Sequence, residues 1–360
     1  MPAALRLHLG TPWRAPAGTL VVRGTPRVRE AVRIRLTDEQ GTSGLGEALP
    51  LPGYSRDDAD TAFRVLGRLA GAVLEVPQGA RGLAQIAATL APFDAALACA
   101  PSARFALECA LLDLLARRAL QSAAAWLAQG RALQRVAVSM LLPDDDTLAV
   151  AAAAQAVARG HRVLKLKVAR ADRSATQEMA LLAAVRAAAE AAAPGAVRLR
   201  LDANGAMDPA TLVQRMAGWS AFGVELVEEP LAGEALLALP ALPLPWAADE
   251  SLIEPARAAA LLALPRDRRP AALVLKPALL GLARCFELAD AAAARGVGVI
   301  VTHSLDGDIG HAAACALAQS LPQPPWPCGL ALHGGLCRAF EPGPWLPAPA
   351  AQGLGDIGAA

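Results

Sequence analysis

The chain has 360 residues, of which 54% are hydrophobic and 19% charged, and its formal net charge at pH 7 is +1. This length permits a large buried core and favours two domains. A charge near zero provides no basic footprint for nucleic acid or for an anionic membrane surface, and the alanine-rich apolar runs are typical of helices, not membrane spans. We therefore expect neither nucleic acid nor a membrane as a partner.

The cysteines and the first residues of the sequence bear on its compartment. Six cysteines include no C-x-x-C pair, which favours small buried residues in a reducing cytoplasm. The start, MPAALRLHLG, lacks a long apolar stretch and a cleavage site, so no signal peptide is expected. The predicted location is the cytoplasm.

Residues 1–130 predict a small α+β domain. Two segments alternate apolar and polar residues as half-exposed antiparallel strands do, namely LRLHL (5–9) and AVRIRL (31–36). Helical patterns follow at roughly 57–74, 81–97 and 102–118. We interpret this part as a sheet with helices that caps a larger domain.

From residue 131 onward, short apolar runs follow one another, and from Lys165 to Lys276 each run ends in polar residues. The series is RVAVSMLL (135–142), VLKLK, LRLDAN, LVEEP, WAADES, LVLKP, VGVIVTHS (297–304) and CGLALHGG (328–335). The charged ends from VLKLK to LVLKP are 21 to 35 residues apart, about the length of one strand-plus-helix repeat. Polar groups at the carboxyl ends of such strands converge on one face of a (β/α)₈ barrel. We predict a TIM-type barrel over 131–336.

Three of the strand ends carry carboxylates. Asp202, Glu228 and Asp249 have no cysteine or histidine beside them, so they favour a hard cation, Mg²⁺ (or Mn²⁺). A substrate carboxylate at that ion would have a removable α-proton, and the base would be a lysine. Lys165 and Lys167 point to the same side of their strand, where burial and like charge are expected to lower a lysine pKa. The pattern predicts proton abstraction α to a carboxylate of a small molecule.

Residues next to these groups have less certain roles. Arg200 lies two residues before the first carboxylate and faces the same way, so it is expected either to bind a second substrate carboxylate or to form a structural ion pair. Glu229 is expected to be peripheral, because neighbouring strand residues point to opposite faces. Glu250 is expected to pair with one of the lysines, and Asn204 to support the metal ligands.

In this order, the motifs resemble those of the enolase superfamily, in its muconate-lactonizing subgroup. The matching segments, on the second to sixth barrel strands, are Lys165-Leu166-Lys167, Asp202-Ala203-Asn204, Glu228-Glu229-Pro230, Asp249-Glu250-Ser251 and Lys276-Pro277. The resemblance implies Asp202, Glu228 and Asp249 as metal ligands. It also implies that Lys167 and Lys276 are catalytic lysines on opposite sides of the substrate, with Lys165 adjusting Lys167.

The resemblance extends outside the barrel strands. GLGEALPLPGYS (44–55) is similar to the family's capping loop over the active site, which implies that Tyr54 contacts the substrate. The helix FALECALLDLLAR (105–117) also matches. By the same resemblance, the C-terminal residues 337–360 are expected to rejoin the cap. Relatives are usually dimers or octamers, so a homo-oligomer is one possible state, which the sequence leaves open.

The seventh strand differs from that of the mandelate-racemase-like members. Those members pair a seventh-strand histidine with a sixth-strand aspartate, whereas this sequence has Lys276 on its sixth strand. We therefore interpret His303 as a pocket wall or hydrogen-bonding residue. Ser304 and the glycine-containing turn before the next helix are expected to receive a substrate carboxylate.

The resemblance also bears on the reaction. Dipeptide epimerases of the subgroup carry Asp-x-Asp at the eighth strand, and LALHGGL (330–336) has no acid. The EEP, DES and KP motifs, the seventh-strand loop and the cap loop are similar to those of o-succinylbenzoate synthases, which implies a hydro-lyase of menaquinone biosynthesis. An N-succinylamino-acid racemase, a muconate-type cycloisomerase and an inactive enolase-fold binding protein stay open as alternatives.

Overall fold

The computed structural model describes residues 3–22, 25–195, 197–332 and 343–355. In its first part, the strands and helices follow one another in the order β1 (Ala3–Leu9), β2 (Trp13–Val22), β3 (Thr25–Thr37), β4 (Ser43–Ala48), α1 (Ala59–Leu69), β5 (Val73–Val76), α2 (Leu83–Leu90), α3 (Asp94–Leu97), α4 (Pro101–Arg118) and α5 (Ala123–Ala128). The strands form one antiparallel sheet in the order β2-β3-β1-β5, and β4 also pairs with β3. Leu5 and Leu7 are buried while Arg6 and His8 are exposed, which confirms the predicted alternation.

One helix predicted in the cap extends beyond the helix that the structure contains. The pattern indicated a helix over 57–74, but α1 ends at Leu69, and Gly71 then turns the chain with a φ of 86°. Val73–Val76 forms β5, which pairs with β1 and alternates exposed and buried residues. A left-handed glycine ends the helix, and the two-residue period of VLEV is that of a strand.

The second part contains a curled parallel sheet. Its elements are β6 (Met140–Leu141), α6 (Asp146–Ala158), β7 (Val163–Lys167), α7 (Ala175–Ala192), β8 (Arg198–Asp202), α8 (Leu212–Trp219), β9 (Val224–Glu228), β10 (Trp246–Ala248), α9 (Pro255–Ala263), β11 (Ala272–Leu275), α10 (Pro277–Leu280), α11 (Leu282–Ala293), β12 (Gly298–Val301) and α12 (Asp308–Ser320). The strands pair in chain order from β6 to β12, so each charged strand end lies beside the next.

The two edges of this sheet meet at the segment that follows α12. Cys328 bridges Val138, just before β6, and Gly329 bridges Thr302, just after β12. This closure confirms the predicted barrel-plus-cap fold class. The strand predicted over 135–142 is regular only at Met140–Leu141, and residues 333–335 of the predicted eighth strand lie outside the described residues.

The described part of the C-terminal segment returns to the helices of the cap. Gly353 accepts a hydrogen bond from the backbone N–H of Ala123 in α5, and the Leu354 N–H donates to Asp113 of α4 at 2.8 Å. The domain limits near residues 130 and 336 stay predictions. Among the described helices, none combines the length and the apolar character that a membrane crossing requires.

Helix α4 joins the cap to the barrel. It lies directly on β4, where a Cβ at Gly46 would be only 1.9 Å from the Ala106 carbonyl oxygen, so a side chain there would push the helix away. On another face of α4, the buried carboxylate of Glu108 accepts the Leu282 N–H at 2.7 Å, at the N-terminus of α11. An acid at a helix N-terminus satisfies an amide that has no partner within the helix. Burial nevertheless raises the pKa of Glu108 to about 7.

We expect Glu108→Gln to stabilise the protein at alkaline pH. A carboxyl with a pKa raised in the folded state favours folding at acidic pH and loses that contribution as pH rises through about 7. Glutamine keeps an oxygen for Leu282 and removes the buried charge, so unfolding at pH 8.5 should cost up to about 3 kcal/mol more than for the wild type. Denaturant unfolding at pH 5 and pH 8.5 measures this. An equal effect at both pH values would contradict it.

Candidate active site

Three carboxylates meet at the carboxyl ends of adjacent barrel strands. Asp202 ends β8 and Glu228 ends β9, and the two are paired in register; Asp249 follows β10 directly. All three are at most 4% exposed, and one carboxylate oxygen of each lies within 4.8 Å of the other two. The structure thus brings together the three residues that the sequence predicted as ligands.

Two lysines neutralise part of this negative charge. Lys165 Nζ lies 2.5 Å from Glu228 Oε2 and 2.9 Å from Asp202 Oδ2, and Lys276 Nζ lies 2.6 Å from Asp249 Oδ2. Burial alone lowers a lysine pKa, but the carboxylates outweigh it and hold the pKa of Lys165 and of Lys276 above the ordinary value. The expected lowering of the Lys165 pKa is therefore wrong for this arrangement, because its nearest neighbours are acids and not the second lysine.

Lys167 differs from these two lysines. It ends β7, pairs in register with Asp202 and lines the cavity, yet within the described residues its ammonium forms no ion pair. Lysine occurs only three times in the chain, and all three lysines line this cavity; the other 31 of the 34 basic residues are arginines. Arginine stays protonated at working pH, whereas a lysine can give up its proton. The distribution singles out the cavity as the place where an amine is needed.

The carboxylates suit a divalent cation. They offer oxygen ligands only, and Asp249 Oδ1 is buried with no hydrogen-bond partner among the described residues. A buried carboxylate oxygen without a donor is costly unless a cation balances it. Asp202, Glu228 and Asp249 would hold the ion, and an all-oxygen set fits Mg²⁺ or Mn²⁺.

Glu229 holds the loop that carries one of these ligands. Its side chain is 2% exposed, and its carboxylate accepts hydrogen bonds from Asp249 N at 2.7 Å, from Ser251 N at 3.0 Å and from the Ser251 hydroxyl. Burial raises its pKa to about 7. The expectation of a peripheral Glu229 is wrong: it faces away from Glu228, but onto the neighbouring chain segment instead of solvent.

A polar chain extends from the carboxylates across the pocket floor. Asn204 N donates to Asp202 Oδ1 at 3.1 Å, and its side-chain amide donates to Glu250 Oε1 at 3.0 Å. Glu250 Oε1 lies 3.8 Å from Lys276 Nζ. Asn204 and Glu250 are therefore placed where the sequence predicted support for the ligands, and Glu250 pairs with Lys276 and not with Lys165.

A cavity of about 280 Å³ opens above these groups. Besides the residues already described, the cap contributes Leu51 and Tyr54, and the barrel contributes Ser139, Met140, Leu141, Leu279, Thr302, His303, Ser304, Leu305, Gly329, Ala331 and Leu332. Tyr54, His303 and Ser304 thus lie where the sequence predicted substrate contacts. The apolar wall from Met140, Leu141 and Leu279 had no recognisable signal, since short apolar runs also form ordinary core.

His303 is a wall residue in a defined tautomer. Its Nδ1 accepts the Leu305 N–H at 3.1 Å, so the proton resides on Nε2, which lies 3.0 Å from the Ala331 carbonyl oxygen. This network engages both nitrogens of the imidazole.

Arg200 lies outside the cavity lining. It is 1% exposed, its Nε lies 2.6 Å from Glu225 Oε2, and it donates to the Pro327 carbonyl oxygen at 2.6 Å. Of the two roles predicted for it, the structure has the ion pair and corrects the substrate contact. A register shift positions its partner, because Glu225 is an extra residue in β9 opposite the Leu199–Arg200 step.

We expect Arg200→Met to weaken folding and to leave substrate binding unchanged. Removing one partner of a buried ion pair typically costs about 3 kcal/mol or more. Denaturant unfolding should show that loss, while KM at a temperature where the variant is folded should equal that of the wild type. A raised KM with unchanged unfolding free energy would restore the substrate-binding role.

The turn before α12 does not offer the anion site predicted for it. Glu47 of the cap, Asp306 and Asp308 lie there, and Glu47 Oε1 would be 1.8 Å from a Cβ at Gly307. These carboxylates already occupy the positive end of the helix. A substrate carboxylate at this turn would meet their negative charge, and of the turn only Ser304 and Leu305 line the cavity.

Taken together, fold and site define a barrel with three clustered carboxylates that could hold a metal ion, placed between lysines on several strand ends. Two family models match the chain: "Mandelate racemase / muconate lactonizing enzyme, N-terminal domain" over residues 8–135 and "Enolase C-terminal domain-like" over residues 148–348. The chain belongs to this family within the enolase superfamily, whose members are enzymes.

The relatives of this chain differ from one another in activity. The chain is 33% identical over 345 residues to an o-succinylbenzoate synthase of Desulfotalea psychrophila, covering 88% of this chain and 90% of the relative. It is 30% identical over 244 residues to the L-Ala-D/L-Glu epimerase of Escherichia coli, covering 66% and 68%. A dipeptide epimerase of Methylococcus capsulatus, solved with Mg and the dipeptide L-Arg-D-Lys, superposes with a TM-score of 0.79 at 24% identity over 99% of both chains.

Proposed function

We propose that the chain is a Mg²⁺- or Mn²⁺-dependent hydro-lyase that forms o-succinylbenzoate, an intermediate of menaquinone biosynthesis, by removing water from a succinyl-substituted hydroxycyclohexadiene carboxylate. One observation carries the choice: the described end of the eighth strand lines the cavity with Gly329, Ala331 and Leu332 and offers no carboxylate. Apart from Asp202, the only acid of the described lining is Glu250, on another strand, whose Oε1 accepts from Asn204 and lies 3.8 Å from Lys276 Nζ and whose Oε2 has no hydrogen-bond partner among the described residues. A dipeptide brings an ammonium group that needs such a partner, whereas an anionic substrate with an apolar body fits lysines and leucines.

The chain's residues divide the work of this elimination. A divalent cation at the carboxylates would neutralise the substrate carboxylate and ease removal of the neighbouring proton. Lys167, as the neutral amine, takes the α-proton, and the C–H electron pair becomes the new ring double bond. The adjacent C–O bond breaks, and the hydroxyl leaves as water by taking up the proton that Lys167 has removed, which returns Lys167 to the neutral amine. Asp249 holds Lys276 cationic. From the side of the cavity opposite Lys167, this positive charge stabilises the negative charge that develops on the substrate.

The likeness to the synthase of Desulfotalea psychrophila supports this proposal, since it extends over nearly the full length of both chains. The racemase alternative uses the same two lysines, because Lys167 ends β7 and Lys276 follows β11, four strands further around the barrel. Both reactions begin with removal of an α-proton. The two reactions differ in whether Lys276, on the opposite side of the substrate, returns a proton to the α-carbon.

The proposal is tested by offering the purified protein several substrates with Mg²⁺ in D₂O. We expect the hydroxycyclohexadiene carboxylate to be converted to the aromatic product, followed by its ultraviolet absorbance, with a kcat/KM at least a hundredfold above that for N-succinylamino acids, L-Ala-L-Glu or muconate. Proton NMR detects α-deuterium uptake in the amino-acid substrates. Faster exchange in both enantiomers of an N-succinylamino acid than dehydration would make the chain a racemase, and inertness toward all substrates would favour the binding-protein alternative.

A further inference from the structure

A buried arginine of the cap joins two loops that wall the cavity. Arg29 lies on β3 and is 1% exposed. Its guanidinium donates to the Leu49 carbonyl oxygen at 2.8 Å and to the Leu305 carbonyl oxygen. Leu49 belongs to the cap, and Leu305 to the loop after β12 of the barrel. The charge of Arg29 is balanced by Asp306 and Glu47 nearby.

Leu305 has a backbone conformation that needs support. Its φ is 57°, in the left-handed region, which is unfavourable for a residue with a Cβ. Such a conformation persists only where the surroundings hold it. Here it is held on both sides, since its N–H donates to His303 Nδ1 and its carbonyl accepts from Arg29.

Both loops present groups to the substrate cavity. Ser304, adjacent to Leu305, lines the cavity, and its hydroxyl is buried without a hydrogen-bond partner among the described residues. On the cap side, Leu51 and Tyr54 belong to a closed turn in which Leu51 N donates to the Ser55 hydroxyl at 2.8 Å. Arg29 contacts the start of that turn at Leu49. The Arg29 guanidinium thus links the cap side of the cavity, at Leu49, to the barrel side, at Leu305.

We propose that Arg29 is a positioning residue, which keeps Leu305 in its left-handed conformation so that the Ser304 hydroxyl and the cap turn face the bound substrate. The clamp itself is independent of the reaction, whereas its kinetic consequence rests on the proposed function. Arg29 contacts neither the three carboxylates that could hold a metal ion nor the lysines of the cavity.

Hydrogen–deuterium exchange with mass spectrometry tests the clamp without any substrate. In Arg29→Met, the backbone amides of residues 303–307 should exchange at least ten times faster than in the wild type. Arg35→Met is the matched control, because Arg35 lies on the same strand but is exposed, and there exchange should be unchanged. Arg29→Lys retains one donor group and should be intermediate, and it also serves if Arg29→Met does not fold. Unchanged exchange at 303–307 in folded Arg29 variants would overturn the clamp.

Kinetics then test the positioning role. With the hydroxycyclohexadiene carboxylate, Arg29→Met should raise KM about tenfold and change kcat less than threefold, as lost substrate positioning does. Glycine adopts positive φ without strain, so in a Leu305→Gly background the same substitution should raise KM at least threefold less. An equal effect in both backgrounds would overturn the role of Leu305 as the intermediary. If the wild type does not convert this substrate, the proposed function fails and the exchange results alone decide the clamp.

Discussion

Alanine in place of Lys167 is expected to abolish dehydration, whereas arginine in place of Lys276 should retain measurable dehydration. General-base catalysis contributes up to about 10⁴-fold, so kcat of Lys167→Ala should fall by roughly 10³-fold or more. Lys276 acts as a fixed positive charge in our proposal, and arginine keeps that charge. The kcat of Lys276→Arg should fall by no more than about 10²-fold, because the substitution shifts the position of the positive charge but removes no group that acts as the base.

The environment of the two amines is the reason for this asymmetry. Asp249 and Glu250 lie beside Lys276 Nζ at 2.6 and 3.8 Å, and they hold its pKa above the ordinary value despite burial. A pKa raised in this way keeps the lysine charged throughout pH 6–9, so it is not a base there. Lys167 forms no ion pair among the described residues, and its amine faces the cavity.

Parallel assays of both variants decide the roles. Because the chain has only three lysines, ¹⁵N-lysine labelling yields at most three Nζ resonances, and loss of one assigns Lys167 and reports its protonation directly. Any side racemisation of an N-succinylamino acid should disappear in Lys276→Arg as well as in Lys167→Ala. If Lys276→Arg loses dehydration as completely as Lys167→Ala, with folding and metal binding intact, the electrostatic role of Lys276 is wrong.

The barrel and its charged rim were predictable because both depend on local order. Parallel strands joined by helices place their carboxyl ends side by side, so Asp202, Glu228 and Asp249 had to approach one another if the strands were identified correctly. The scarcity of lysine is a further signal in the sequence. Three lysines among 34 basic residues mark the same cavity without any motif.

The contacts that could not be predicted depend on strand register and on which distant segments of the chain pack together. Alternation along a strand shows which face Arg200 occupies, but not that the extra residue Glu225 in β9 lies beside it. Likewise, Glu229 was known to face away from Glu228, although only the fold shows that the Asp249 loop lies on that side. Arg29 contacts Leu305, 276 positions along the chain, and no sequence pattern links the two.

Removal of the metal is expected to abolish activity reversibly and to lower stability. Exhaustive chelation should reduce proton exchange and dehydration to background, and Mg²⁺ or Mn²⁺ should restore both. Binding to the folded state alone stabilises it, by about 2.7 kcal/mol at a ligand concentration of 100 times Kd. Added Mg²⁺ should therefore raise the unfolding temperature of the chelated wild type, which calorimetry measures without any substrate.

Asp249→Asn should remove most of this effect. An amide keeps the size of the side chain but withdraws one of three negative charges, so metal affinity measured by titration calorimetry should fall at least a hundredfold. The matched control is Asp267→Asn, an exposed acid at the opposite end of the barrel strands, which should bind metal as the wild type does. Lys276 loses its carboxylate partner in Asp249→Asn, so its positive charge further disfavours a cation there. Full activity after chelation, or unweakened metal binding by Asp249→Asn, would show that these carboxylates serve only to neutralise the lysines.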